Sequence, residues 1–155
     1  MRAVVIPFSK KVSLWYYTYT MIITHFGRQH FKLTVGDLTI AINPVSKDGK
    51  GKVAKYGADV TLITTNHPDY NGAEQTEHGD KVPFVVRGAG EYEVKDIFIK
   101  GFSTVTKLKE AKKEKDYQNT SYVFTIDGIR VTFLGALSET LSPEHKEIID
   151  ETDVL

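Results

Sequence analysis

His67 and Asp69, two residues apart, set the chemistry to look for. They stand in Thr65-Asn66-His67-Pro68-Asp69-Tyr70, just after an apolar run built on Val60, Leu62 and Ile63. Imidazole and carboxylate are both metal ligands, and a tight zinc site takes about four such groups, three protein ligands plus water being the catalytic minimum. A strand that runs into a loop suits the task, because the strand fixes the backbone while the loop lets side chains converge. His67 and Asp69 are therefore the candidate metal ligands. Thr65, His67, Asp69 and Tyr70 together make a candidate ligand-binding cluster that needs no metal. Thr65 and Tyr70 are poor zinc ligands at neutral pH, since neither hydroxyl is readily deprotonated. His25 and His30 flank an early hairpin and are the available recruits to the same sheet end, whereas His78 and His145 sit in polar, solvated contexts. Gly88-Ala89-Gly90 lacks the third glycine and the following helix of a dinucleotide fingerprint, and no P-loop or nucleophile elbow competes.

The elements that must position these groups are strands. Met21–His25 reads as a short strand. Phe31, Leu33 and Val35 alternate with polar residues, Gly36-Asp37 turns the chain, and Leu38, Ile40 and Ile42 alternate in return. Lys52–Tyr56 reads as a short helix stopped by Gly57, and Ala73–Glu77 as one helical turn. Val82, Phe84 and Val86 make an edge strand despite Pro83. Gly90-Glu91-Tyr92-Glu93 reads as a solvated turn, followed by a strand through Ile97 and Ile99. The mixed charge run Lys107–Asp116 reads as a solvated loop. Tyr122–Ile126 and Ile129–Phe133, joined by Asp127-Gly128, form the strongest hairpin signal in the chain. Ser142-Pro143-Glu144 opens a helix running to about Asp150, with a serine cap and a proline in the first turn, and Asp153–Leu155 starts another strand.

These motifs resemble the metallo-β-lactamase superfamily, in a branch similar to small prokaryotic hydrolases such as the ascorbate-phosphate lactonase. That branch carries Thr-His-x-His-x-Asp-His where this chain has Thr64-Thr65-Asn66-His67-Pro68-Asp69-Tyr70, and a Gly-Glu-Tyr-Glu-like segment where Gly90–Glu93 stands. The resemblance implies an α/β fold with layered α+β character: an αββα sandwich of mostly antiparallel strands, of which residues 21–155 would be the N-terminal two-thirds. It also implies what is missing. Thr65 and Tyr70 replace two ligand histidines, Asn43-Pro44 stands for Asp-Pro, and Gly135-Ala136-Leu137 stands for Gly-Asp-Leu. The expectation is a degenerate domain without hydrolase activity, acting as a binding, interaction or structural module, with no cofactor. The alternative is a zinc-dependent hydrolase, lactonase-like or phosphodiesterase-like, whose weak site is completed by His25, His30 or a partner chain.

Composition narrows the partners. The 155 residues carry 20 basic and 20 acidic side chains, so no net charge draws the chain to nucleic acid or an anionic membrane. The absence of cysteine removes disulfides and thiolate metal sites and fits a reducing cytoplasm. Residues 1–20 precede the resemblance and read as an extension, either a loosely docked tail or a strand-forming arm with aromatics between Leu14 and Tyr19. The strands share one bulky face that a half-fold would leave uncovered, so a homodimer is expected.

Overall fold

The computed structural model describes the backbone of residues 2–12, 15–110 and 112–155, and side chains outside residues 5–19. Six strands make one sheet in chain order: β1 (Arg2–Val12), β2 (Trp15–Gly27), β3 (His30–Val35), β4 (Leu38–Ile42), β5 (Val60–Ile63) and β6 (Phe84–Arg87). The second sheet runs in the order β10-β9-β8-β7, from β7 (Gly90–Val94), β8 (Ile97–Glu110), β9 (Lys113–Ile126) and β10 (Ile129–Phe133). β4, β5 and β6 are mutually parallel, and the other neighbours are antiparallel. Asp127 and Gly128 both take positive φ, 53° and 82°, the geometry that a two-residue hairpin turn demands. The helix α1 (Pro143–Ile149) begins as its cap signal requires, with Ser142 Oγ accepting the His145 amide at 3.1 Å. No helix among the described residues is long and apolar enough to cross a membrane.

The core lies between the sheets. Leu33, Ile40, Ile42, Val60 and Leu62 of the first sheet share one buried cluster with Ile99, Tyr122, Phe124, Ile126 and Val131 of the second. The expected homodimer rested on a covering sheet that the chain would lack. This chain supplies that sheet itself, through β7–β10, so the bulky face gives no reason for a second copy. Of the stretch read as either a loosely docked tail or a strand-forming arm, residues 2–12 and 15–20 hold β1 and the start of β2, which pair along their length at the edge of the first sheet. The side chains from Leu14 to Tyr19 lie outside the described residues.

Other expectations are corrected by local physics. The Lys107–Asp116 run is a hairpin. Its pairing sets Lys107 opposite Asp116, Lys109 opposite Glu114 and Glu110 opposite Lys113, and such opposite-charge pairs favour the ladder. Lys52–Tyr56 is irregular and not helical. Five residues between glycines are too few to nucleate a helix, and the amides of Tyr56 and Ala58 donate instead to the carbonyls of Gln75 and Thr76 at 3.2 and 2.9 Å. Gly90–Glu93 belongs to strand β7, paired with β8, so its glutamates point from a strand and not from a turn. On β6, which begins at Phe84 and not at the expected Val82, only Val86 is buried and Phe84 is exposed, as befits an edge. Ala73–Thr76 forms the expected turn of 3₁₀ helix, and Val154 bridges to Val131 as the expected final strand begins.

Candidate functional site

The β4–β5–β6 order places the carboxyl ends of three parallel strands together, and the β2–β3 turn falls at the same end. The loop after β5 is clamped there. The Ser46 amide donates to the Pro68 carbonyl at 2.9 Å, and the Gly72 amide to the Pro44 carbonyl at 2.8 Å. A Cβ on Gly72 would strike the backbone of Val45 and Ser46, so only glycine permits this approach.

Asp69 is 5% exposed. Its Oδ1 accepts the Lys50 amide at 2.5 Å and its Oδ2 accepts the Arg28 guanidinium at 3.1 Å. His67 Nδ1 accepts the Asp69 amide at 3.1 Å, and Nε2 lies 3.6 Å from Glu110 Oε1. The long β8–β9 hairpin brings Glu110 and Tyr117 to the imidazole, with the Tyr117 ring edge-on at 5.7 Å. The Tyr117 hydroxyl donates to Glu110, which holds that carboxyl below the usual range and raises the phenol. Tyr70 lies 5.7 Å from His67 ring to ring, its hydroxyl pushed up first by burial and then by the Asp69 carboxylate.

Thr65 belongs to a different network. It is 1% exposed, and its hydroxyl donates to Asn119 Oδ1 at 3.1 Å. Asn119, itself buried, donates through Nδ2 to Thr104 Oγ1 at 2.7 Å and to the Leu134 carbonyl at 2.8 Å. The Thr120 amide donates to the Thr64 carbonyl at 2.8 Å, so the sheets are stitched together at this end. Within the first sheet, Asn43 pins the ends of β4 and β5 together: its Oδ1 accepts the Thr64 amide at 2.8 Å and its Nδ2 donates to Thr64 Oγ1 at 2.9 Å. A Cβ on Gly135 would meet the Asn119 side chain, so the Gly135-Ala136 loop packs against the same hub.

The family follows from this architecture and from comparison. Residues 22–155 match the family described as the beta-lactamase superfamily domain, and the chain belongs to that superfamily. It is similar to the crystal structure of a candidate Zn-dependent hydrolase of the metallo-β-lactamase superfamily from Thermotoga maritima, at 28% identity and a TM-score of 0.66. That match covers 86% of this chain and 59% of the other. A candidate metal-dependent hydrolase from Parabacteroides distasonis shares the fold at 20% identity and a TM-score of 0.59, with 93% of this chain and 71% of that one covered. This chain thus spans little more than half the length of the Thermotoga protein. No curated protein matches significantly.

Superfamily membership implies a metal, and the donor set here does not fit one. Both Asp69 oxygens are engaged, one of them by a guanidinium that would repel a metal cation. Thr65 is turned into the Asn119 network. Among the described residues, no three His, Cys, Asp or Glu side chains converge on a point that could hold a metal ion. The suggested recruits are also engaged elsewhere. His25 Nε2 bonds to the Arg28 carbonyl at 2.9 Å, and His30 Nε2 pairs with the Tyr56 hydroxyl at 2.8 Å. His145 lies against Phe102, ring centroids 4.5 Å apart. His67, Asp69 and Tyr70 are brought together as the sequence suggests, and Thr65 is not. The donors to Asp69 come from the β2–β3 turn and the Ser46–Gly51 loop, not from the turn that follows it, because the Gly49 backbone packs directly onto the Pro68 carbonyl. Arg28, Glu110, Tyr117 and Asn119 are the residues at this end that sequence reading missed, while Asn43 was noted only as the replacement for an aspartate.

Proposed function

We propose that this domain is a non-hydrolytic member of its superfamily, a binding or interaction module in which Arg28 supplies the positive charge that a metal ion supplies in hydrolases. The observation that carries this reading is the double engagement of Asp69 by Arg28 and by the Lys50 amide. A carboxylate held by a guanidinium and a backbone amide is satisfied without a metal. With the ligand positions at Thr65, Tyr70 and Ala136 holding two hydroxyls and a methyl, nothing remains to hold and polarise a nucleophilic water. Elemental analysis of chain purified without chelator should find far less than one zinc per chain. Near-stoichiometric zinc that is lost on His67→Ala would overturn the proposal.

The alternative, a metal-dependent hydrolase with a partner-completed site, draws on the description of the Thermotoga structure. It requires Asp69 to leave Arg28 when metal enters. Zinc-dependent cleavage of a phosphodiester or lactone by the purified chain, abolished by Asp69→Ala, would establish it.

A further inference from the structure

A cavity separate from the His67–Asp69 pair opens at the carboxyl ends of β5 and β6. It has a volume of about 300 Å³ and is lined by Thr64, Thr65, Asn66, Arg87, Gln118 and Thr120, together with Ile63 and Gly88. That volume sits at the lower end of the roughly 300–1,000 Å³ typical of small-molecule sites. No acidic side chain lines it, and its one charged group is the Arg87 guanidinium. Arg87 pairs with no carboxylate among the described residues.

The lining is biased towards donors. Asn66 Oδ1 accepts the Asn71 side-chain Nδ2 at 2.9 Å, so the Asn66 NH₂ group is left as its free donor at the cavity wall. The guanidinium adds a planar fork of N–H groups that matches carboxylate and phosphate oxygens two at a time. Its backbone is fixed, because the Tyr92 hydroxyl donates to the carbonyls of Arg87 and Gly88, at 3.1 Å to each. The floor is rigid as well: the Thr120 amide donates to the Thr64 carbonyl, and Thr65 is held by Asn119. Arg87 and Asn66 therefore border one small space whose lining holds no protein anion.

We infer that this cavity binds the anionic group of a small molecule, a carboxylate or a phosphate, with Arg87 as the charge partner and Asn66 as the neutral donor. The inference rests on the binding-module reading and names the class of ligand it would take. Thr65 then does its work here, as a wall residue, and not beside His67.

The test is a titration of amide resonances of the whole chain in chelator, with inorganic phosphate in one arm and succinate in the other, at constant ionic strength. Binding should shift the amides of residues 64–66, 87–88 and 118–120 saturably in at least one arm, and the arm that responds identifies the anion. Arg87→Gln, at an exposed strand end where folding is not at stake, should weaken the response at least tenfold. Lys146→Gln, which removes a positive charge on α1, should leave it unchanged. Absence of a saturable response in both arms, or equal weakening by the two variants, would overturn the inference. A parallel zinc titration keeps the readings apart: a stoichiometric zinc response at His67 would sink the metal-free proposal, whatever the anions do at Arg87.

Discussion

Removing the Asp69 carboxylate tests whether this residue is structural. Its side chain is 7% exposed and that of Arg28 is 44% exposed. The Lys50 amide bond is charge-assisted, a class worth roughly 1.5–3 kcal/mol, and a donor on a surface loop places it at the low end. The ion pair with a half-exposed arginine adds about 0.5 kcal/mol, after allowance for solvent screening. Asp69→Ala should therefore cost about 2 kcal/mol, which for a chain of this size lowers Tm by roughly 4–8 °C. Asp69→Asn keeps an acceptor but loses the charge and should cost about half as much. Arg28→Gln alone should cost about 0.5 kcal/mol, since the carboxylate keeps the Lys50 amide, and the Arg28/Asp69 double-mutant cycle should return a coupling of about the same size. Urea unfolding of the four variants is the assay. If Asp69→Ala melts with the parent, the carboxylate carries no structural role, and a ligand role regains its ground.

Two further outcomes follow from buried polar groups. His30 is 1% exposed, and burial, aided by the charge on His25, lowers its pKa from 6.5 to about 4. The folded value lies below the unfolded one, so this contribution is fully present above pH 6.5 and is lost as the pH falls towards 4, amounting to about 2 kcal/mol by pH 5. Calorimetry between pH 7 and pH 5 should show the loss, and His30→Gln should flatten that part of the slope. Asn43→Asp restores the carboxylate that the superfamily resemblance expects, but it removes the Nδ2 donor to Thr64 and buries a charge, and should cost about 2–3 kcal/mol at neutral pH. An unchanged melting temperature would show that the amide is not what pins the end of β5.

What could be read from the chain follows from how local each signal is. The hairpins at Gly36-Asp37 and Asp127-Gly128, the Ser142 cap and the polar loop after Ile63 are all encoded within a few residues of where they act. The charged hairpin was missed because mixed charge looks like solvation until the strands are folded back on each other. Only then do Lys109 and Glu114 stand opposite one another. Asn119 is 54 residues from Thr65 and Arg28 is 41 residues from Asp69, and no spacing rule joins them. A topological one does. β3 runs antiparallel to β4 and β4 parallel to β5, so the β2–β3 turn must lie at the carboxyl end of β5. Counting strands would have pointed to residues 26–30 as neighbours of the His67 loop. His25 and His30 drew notice there, yet Arg28 between them makes the contact.

Arg28 also decides what it would take to rebuild a metal centre. Restoring the missing imidazoles by Thr65→His and Tyr70→His supplies, with His67, three nitrogens of the resembling motif, nominally enough for zinc. Asp69 would still face a guanidinium at 3.1 Å, and a divalent ion placed against that carboxylate would have to displace one cation with another. Thr65 lies in a packed site beside Asn119, so its replacement adds overpacking of roughly 1–3 kcal/mol, and melting must be followed alongside metal uptake. The two-histidine variant should remain folded but take up little zinc. Adding Arg28→Gln frees the carboxylate, so the three-residue variant should bind near one equivalent, with a zinc-dependent rise in Tm. Full zinc uptake with Arg28 intact would show that the guanidinium yields readily and is a bystander. The assignment of its charge to the place of a metal would then fail, even if the natural chain is metal-free.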